Sequence, residues 1–155
     1  MPQPTDPTTD SKIEPDLFPH DLSLQSRYPG LQLPPPCFIE SGAKIIDHQP
    51  NKSLTVTFPV NERQTNPLGT LQGGILAGLF DNAFGPLSYA TMKKPCVTID
   101  MTVNFIRGAK PGDTITICAE FKSKNKKIVQ MYAEARNSKK KLLATASSNL
   151  MVHGS

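Results

Sequence analysis

One long run of helical periodicity stands alone in a chain whose other patterned segments alternate like strands. From Asn66 to Ala90 the sequence reads NPLGTLQGGILAGLFDNAFGPLSYA: turn formers, then Gly73 and Gly74, then apolar residues. Ile75, Leu76, Leu79, Phe80, Ala83, Phe84 and Leu87 recur at intervals of three and four, the pattern of a helix buried along a wide face. Such a helix has to be covered by other elements.

Asp81 interrupts this run. A carboxylate inside a buried helix is unfavourable unless it is paired, hydrogen-bonded or set at a cavity wall. Steps of three and four residues from it reach only Ala77, Gly78, Gly85 and Ser88. That small-residue face leaves room for another chain or a ligand. Gly78 and Gly85 each weaken the helix by roughly 1 kcal/mol relative to Ala, and Pro86 is expected to kink or end it near Asn82. A helix that accepts these losses is a candidate site, and the alternative is a structural acid bonded across a dimer interface.

The rest of the chain supplies strands. Cys37 to His48 and Lys52 to Val60 alternate, with a turn at Gln49, Pro50 and Asn51. Val97 to Phe105 gives the strongest signal, with Val97, Ile99, Met101, Val103 and Phe105 on one face and Thr98, Asp100, Thr102 and Asn104 on the other. Three more strands are expected near Thr114 to Lys122, Ile128 to Arg136 and Leu142 to Val152, joined by short loops that imply antiparallel hairpins. Two strands, one long helix and four strands give an α+β fold: an antiparallel sheet of about six strands wrapped around one central helix. The missing strand–helix alternation excludes a doubly wound fold.

Composition bounds the partners. The chain has 155 residues, enough for one core, and nine of its 15 prolines fall in the first 36 residues. Met1 to about Ser11 is expected to be disordered, Ile13 to Leu33 to form a short helix on the domain, and Pro34, Pro35 and Pro36 to force an extended connection. The expected division is an N-terminal extension over 1–38 and a folded domain over 39–153. No apolar stretch approaches the roughly 20 residues that cross a membrane, no signal core or presequence is recognisable, and the cytoplasm is the expected compartment. Cys37, Cys96 and Cys118 share no metal-ligand spacing, so neither a metal site nor a disulfide framework is expected.

Net charge is +4, but residues 1–90 hold 5 basic and 9 acidic groups against 12 and 4 in residues 91–155. The basic half fits an anionic partner or merely solvated hairpin tips. A nucleic-acid surface would interleave aromatics with the basic residues, and the chain has no Trp and three Tyr.

TNPLGTLQGG, then LFDN, then VTIDMTVNFIRGAKPGD resemble the hotdog-fold acyl-CoA thioesterases, in the branch of the phenylacetate-pathway thioesterases and thioesterase superfamily member 2. The resemblance covers about Ile39 to Met151. It implies a hotdog fold, hydrolysis of an acyl- or aryl-CoA, coenzyme A as part of the substrate, no metal or redox cofactor, and a homodimer or dimer of dimers. It further implies that Asp81 is the catalytic carboxylate, as nucleophile or general base, and that the Gly73 N–H meets the thioester oxygen. Asn66 matches the position that orients the attacking water, and Thr98 one that reaches the site from the neighbouring subunit. Asn66 is otherwise a turn residue and Thr98 a strand residue. Gly74 and the basic residues Arg107, Lys110, Lys124 and Lys126 are candidates for binding coenzyme A.

The resemblance has one departure. The family usually carries His before the two glycines, and here Gln72 stands there. Gln donates and accepts hydrogen bonds but carries no positive charge beside an oxyanion, so a non-catalytic acyl-CoA binding protein is the alternative. A hotdog dehydratase fits less well, because no His lies between His48 and His153.

A helix start is a sound place for thioester chemistry. Its first N–H groups lack intrahelical partners and carry roughly half a positive charge, and Gly73 has no Cβ to keep a substrate away.

Overall fold

The computed structural model describes residues 22–154, so the expectations for Met1 to Ser11 lie outside the described residues. In chain order the elements are α1 (Leu22–Arg27), α2 (Pro36–Glu40), β1 (Lys44–Gln49), β2 (Ser53–Pro59), a 3-10 turn (Glu62–Gln64), α3 (Gly73–Met92), β3 (Cys96–Phe105), β4 (Thr114–Lys124), β5 (Ile128–Arg136) and β6 (Leu142–Val152). The sheet runs β1-β2-β4-β5-β6-β3, with every neighbouring pair antiparallel. One long helix against a six-stranded antiparallel sheet is the expected hotdog architecture.

Strand alternation builds the core. Val56 and Phe58 of β2, Ile115 and Ile117 of β4, Met131 of β5 and Leu150 of β6 join Leu79, Phe80, Phe84 and Leu87 of α3 in one buried cluster. The Phe80 and Phe84 rings stack with centroids 6.4 Å apart. Apolar burial on this scale fixes α3 to the sheet, since each fully buried Leu or Phe contributes roughly 1.5–3 kcal/mol.

That term explains why Pro86 does not end the helix as expected. α3 continues unbroken to Met92. An interior proline costs about 3 kcal/mol, less than the combined burial of Phe84 and Leu87 on either side of it. Gly85 lessens the conflict, because it brings no Cβ against the proline ring.

The first expected strand is also corrected. Cys37 to His48 is not one strand: Pro36 to Glu40 form α2, and β1 begins only at Lys44. Pro36 occupies the first helical turn, where its preset φ suits the helix and its missing N–H is no loss. Phe38 then buries its ring in the core. Pro35 remains extended, at φ −72° and ψ 153°.

β3 departs from simple alternation. Its register on β6 shifts between Thr98 and Asp100, leaving Ile99 as a bulge. The bulge reverses the parity of the strand. Thr98 therefore pairs with buried Leu150, and Met101 and Val103 still pair with buried Ser148 and Ala146. The expected single face from Val97 to Phe105 is thus split, with Val97 and Ile99 about half exposed.

The segment before β1 packs on the domain. Leu24 is buried, Arg27 Nη2 donates to Lys93 O at 3.0 Å, and the Tyr28 ring meets His153 edge-on at 6.4 Å. No described helix is long and apolar enough to cross a membrane.

Candidate active site

The site begins with the turn that launches α3. Asn66 Oδ1 accepts from the N–H groups of Leu68 and Thr70 at 3.0 and 3.2 Å, and its Nδ2 donates to Thr70 Oγ1 at 2.9 Å. Its side chain thus shapes its own loop. Leu71 N–H donates to Ala109 O and Gln72 N–H to Gln64 O, both at 2.8 Å, so the approach to the helix is clamped from two sides.

Gln72 is the N-cap. Its Oε1 accepts from Ile75 N–H at 2.8 Å, satisfying one of the donors that a helix start leaves open. Gly74 makes this fold-back feasible, because a Cβ there would stand 3.0 Å from Gln72 Oε1. The N–H groups of Gly73 and Gly74 have no acceptor among the described residues. At Gly73 a Cβ would stand 3.2 Å from Phe105 Cζ, so the last residue of β3 lays its ring over the glycine.

Asp81 lies further along α3, and here the expectation of a buried acid is corrected: in the single chain Asp81 is exposed. It is not free of partners. Thr98 Oγ1 donates to Asp81 Oδ1 at 2.6 Å, so Thr98 meets the acid of its own chain. The bulge at Ile99 makes this contact, since unbroken alternation with Met101 and Val103 would have turned Thr98 to the opposite face.

Both residues stand at the rim of a cavity of about 420 Å³. α3 lines it with Asp81, Gly85 and Tyr89, β3 with Cys96 and Thr98, and α2 with Phe38. Burial pushes the Tyr89 phenol up from its ordinary value, and Cys96, Asp81 and Cys37 add to the shift. Burial likewise raises the Cys96 thiol, with the Ser88 hydroxyl pulling the other way. At neutral pH both groups therefore stay uncharged.

Not all the expected site residues meet. Gly73 and Asp81 are eight residues apart, about 12 Å along the helix at 1.5 Å per residue, and neither Asn66, Gln72 nor Gly73 lines the cavity. Arg107 and Lys110 lie on the β3–β4 loop, which packs beside Thr70 and Leu71 at the start of α3. Lys124 and Lys126 lie at or beyond the far end of β4, roughly 34 Å away by the strand rise. Arg107 Nη1 donates to Leu142 O at 2.8 Å, and Lys124 Nζ sits 5.7 Å from the Phe121 ring centroid. No cluster of three His, Cys, Asp or Glu side chains able to hold a metal occurs among the described residues.

Sequence reasoning missed Tyr89, although one further helical turn beyond Gly85 on the Asp81 face reaches it. It also missed Phe38 and Cys37, which come from a segment more than 40 residues away with no pattern pointing to the site.

Comparison with known proteins agrees with this geometry. The sequence profile described as the Thioesterase superfamily matches residues 68–144. Acyl-coenzyme A thioesterase 13 of Mus musculus is 34% identical over 83 residues, which are 53% of this chain and 59% of that protein. The match thus spans less than two thirds of the mouse protein's length. Among solved structures, the E. coli PaaI protein of the phenylacetic acid degradation operon superposes with a TM-score of 0.72 at 25% identity, over 76% of this chain and 84% of that one. A Streptococcus mutans UA159 protein solved with acetyl-CoA superposes with a TM-score of 0.68 at 23% identity, over 72% and 89% of the two chains. With one long helix against an antiparallel sheet and a glycine-marked turn into that helix, the chain has the hotdog fold, and about half of it, residues 68–144, matches the Thioesterase superfamily.

Proposed function

We propose that this protein hydrolyses acyl-CoA thioesters, with Asp81 as the catalytic carboxylate. The observation that carries the proposal is the 2.6 Å bond from Thr98 to Asp81 at the rim of the cavity. That bond occupies one carboxylate oxygen and fixes the plane of the group, leaving the second oxygen for chemistry. As a general base, Asp81 takes a proton from water while the water oxygen adds to the thioester carbon. The tetrahedral oxyanion then collapses, the C–S bond breaks, and the departing thiolate of coenzyme A takes up a proton. As a nucleophile, the same oxygen would add to the carbon, and the C–S bond would break to release the coenzyme A thiolate, which takes up a proton. Water would then cleave the resulting anhydride to the free acid and the regenerated carboxylate. The reaction needs no metal or redox cofactor in either form.

The oxyanion needs donors close to the reacting carbon. Within one chain Gly73 is about 12 Å too far along the helix, so the proposal assigns the donor to a second copy. β3 is a sheet edge, and its exposed Val97, Ile99 and Phe105 suit burial against another chain. Two β3 edges paired antiparallel bring the Phe105 end of one copy, with Gly73 beneath the ring, to the Val97–Thr98 end of the other. The same pairing draws Arg107 and Lys110 of one copy toward Lys124 and Lys126 of the other, since Val152 of β6, paired with Cys96 at the start of β3, donates its N–H to Lys127 O. Phosphates of coenzyme A fit that junction and the open N–H group of Gly74. A homodimer, or a dimer of such dimers, is the assembly proposed. The cytoplasm is the compartment proposed, consistent with the three free cysteines.

One observation favours a second reading, in which the protein binds acyl-CoA without cleaving it. Gln72 spends its side-chain oxygen on the helix cap. Steady-state hydrolysis of acyl-CoAs by the wild type, Asp81→Asn and Gln72→His separates the two. Hydrolysis by the wild type that Asp81→Asn abolishes supports the enzyme. Coenzyme A binding without turnover, unchanged in both variants, supports the binding protein.

A further inference from the structure

The cavity beside Asp81 is not built by the thioesterase-matched region alone. One wall is α2, whose residues precede the matched span by almost 30 positions. Pro35, Cys37 and Phe38 face the cavity from this side. Asn82, the neighbour of the proposed catalytic acid, fastens the wall in place. Its Nδ2 donates to Cys37 O and to Ser41 Oγ, each at 3.3 Å, and its Oδ1 accepts from Cys37 Sγ at 3.4 Å. Phe38 anchors the same turn in the core.

The opposite wall is wide because it lacks a side chain. Gly85 lies one turn beyond Asp81, about 6 Å along the axis. A Cβ built there would stand 3.9 Å from Tyr89 Oη, an ordinary van der Waals contact, so a methyl fits there without a clash. The cavity of about 420 Å³ is nearly three times the size of the roughly 150 Å³ apolar cavity that admits benzene.

We propose that α2, latched by Asn82, is the end wall of the acyl pocket and sets which acyl groups fit, admitting chains or arylacyl groups bulkier than a single ring. A carbonyl held at Asp81 sends its chain along Gly85 and Pro86 toward Tyr89, with α2 closing the far side. This inference rests on the acyl-CoA reading of the site. It makes Gly85 and Asn82 specificity determinants in opposite senses: a side chain at Gly85 shortens the pocket, and loss of the Asn82 latch loosens its wall.

The test uses the full chain and non-hydrolysable S-alkyl-CoA thioethers from ethyl to dodecyl, with binding measured calorimetrically for the wild type, Gly85→Leu and Asn82→Ala. Wild-type affinity is expected to rise about threefold to fourfold per methylene until the pocket is full, and then to level off. In Gly85→Leu the break moves two to four carbons shorter, and in Asn82→Ala it moves longer or fades. An identical break in all three proteins, or no dependence on chain length in the wild type, overturns the inference. Thermal melts identify a variant that does not fold, and the other variant then decides. Parallel hydrolysis assays separate the two claims: shifted breaks without turnover sink the hydrolase reading alone, and turnover with unshifted breaks sinks the role of α2 alone.

Discussion

Thr98 and Asp81, 17 residues apart in sequence, are joined by a 2.6 Å hydrogen bond that exists only because β3 bulges at Ile99. The bond orients a carboxylate that is otherwise exposed. Replacing the acid itself is expected to lower kcat by about 10²- to 10⁴-fold, the range lost with a general base. Thr98→Val should cost less, about tenfold in kcat with KM little changed, and Thr98→Ser should restore most of the rate. Equal activity of Thr98→Val and wild type would show that the bond does not position the acid.

Gly73 lies beneath the Phe105 ring, where an added Cβ would stand 3.2 Å from Cζ, a tight contact that the ring relieves by yielding slightly. Gly73→Ala is therefore expected to displace the ring and lower kcat/KM about tenfold, while Phe105→Leu in the same chain recovers part of the loss by giving the methyl room. Steady-state kinetics of the single and double variants check this, and additive losses would mean that the two positions act independently.

Gln72 holds the helix start, so Gln72→Ala is expected to cost about 1 kcal/mol of stability, read as a lower urea midpoint with an unchanged m-value. Gln72→Asn, a shorter residue well suited to capping, should recover part of it. A midpoint unchanged in Gln72→Ala would show that the cap contributes nothing.

His48 gives the fold a pH dependence. Its Nε2 is enclosed and has no partner among the described residues. Burial lowers its pKa from the ordinary 6.5, opposed by Asp47 and assisted by Lys93. The unfolded chain then binds the proton more readily than the folded one, so this contribution is complete above pH 6.5 and is lost as pH falls through the lower folded value. Thermal melts of wild type and His48→Gln across that window should diverge, with the wild type falling more steeply on acidification. Parallel curves would contradict this.

The fold was legible because its signals are local. One period near 3.6 and six strand-like segments name the helix and the strands, and short loops force antiparallel neighbours. Phe38 shows where local signals fail: its helical turn depends on proline geometry and on burial beneath a sheet not yet formed. The Ile99 bulge was equally hidden, because the sequence alternates through it and only pairing with β6 and contact with α3 set the break. Asp81 was found as an acid out of place, but its exposure could not be foreseen, because the wide apolar pattern of α3 says nothing about which part the sheet of the same chain leaves uncovered.

The division of one site between two copies follows from the 12 Å that separate Gly73 from Asp81, and subunit mixing tests it most directly. Asp81→Asn and Gly73→Val chains, each with little activity alone, are unfolded, mixed in equal amounts and refolded. Hybrids then hold one site with both an intact acid and an intact donor, so random pairing should restore roughly a quarter of the wild-type kcat per subunit. A mixture no more active than the mean of the two parent variants would contradict a shared site.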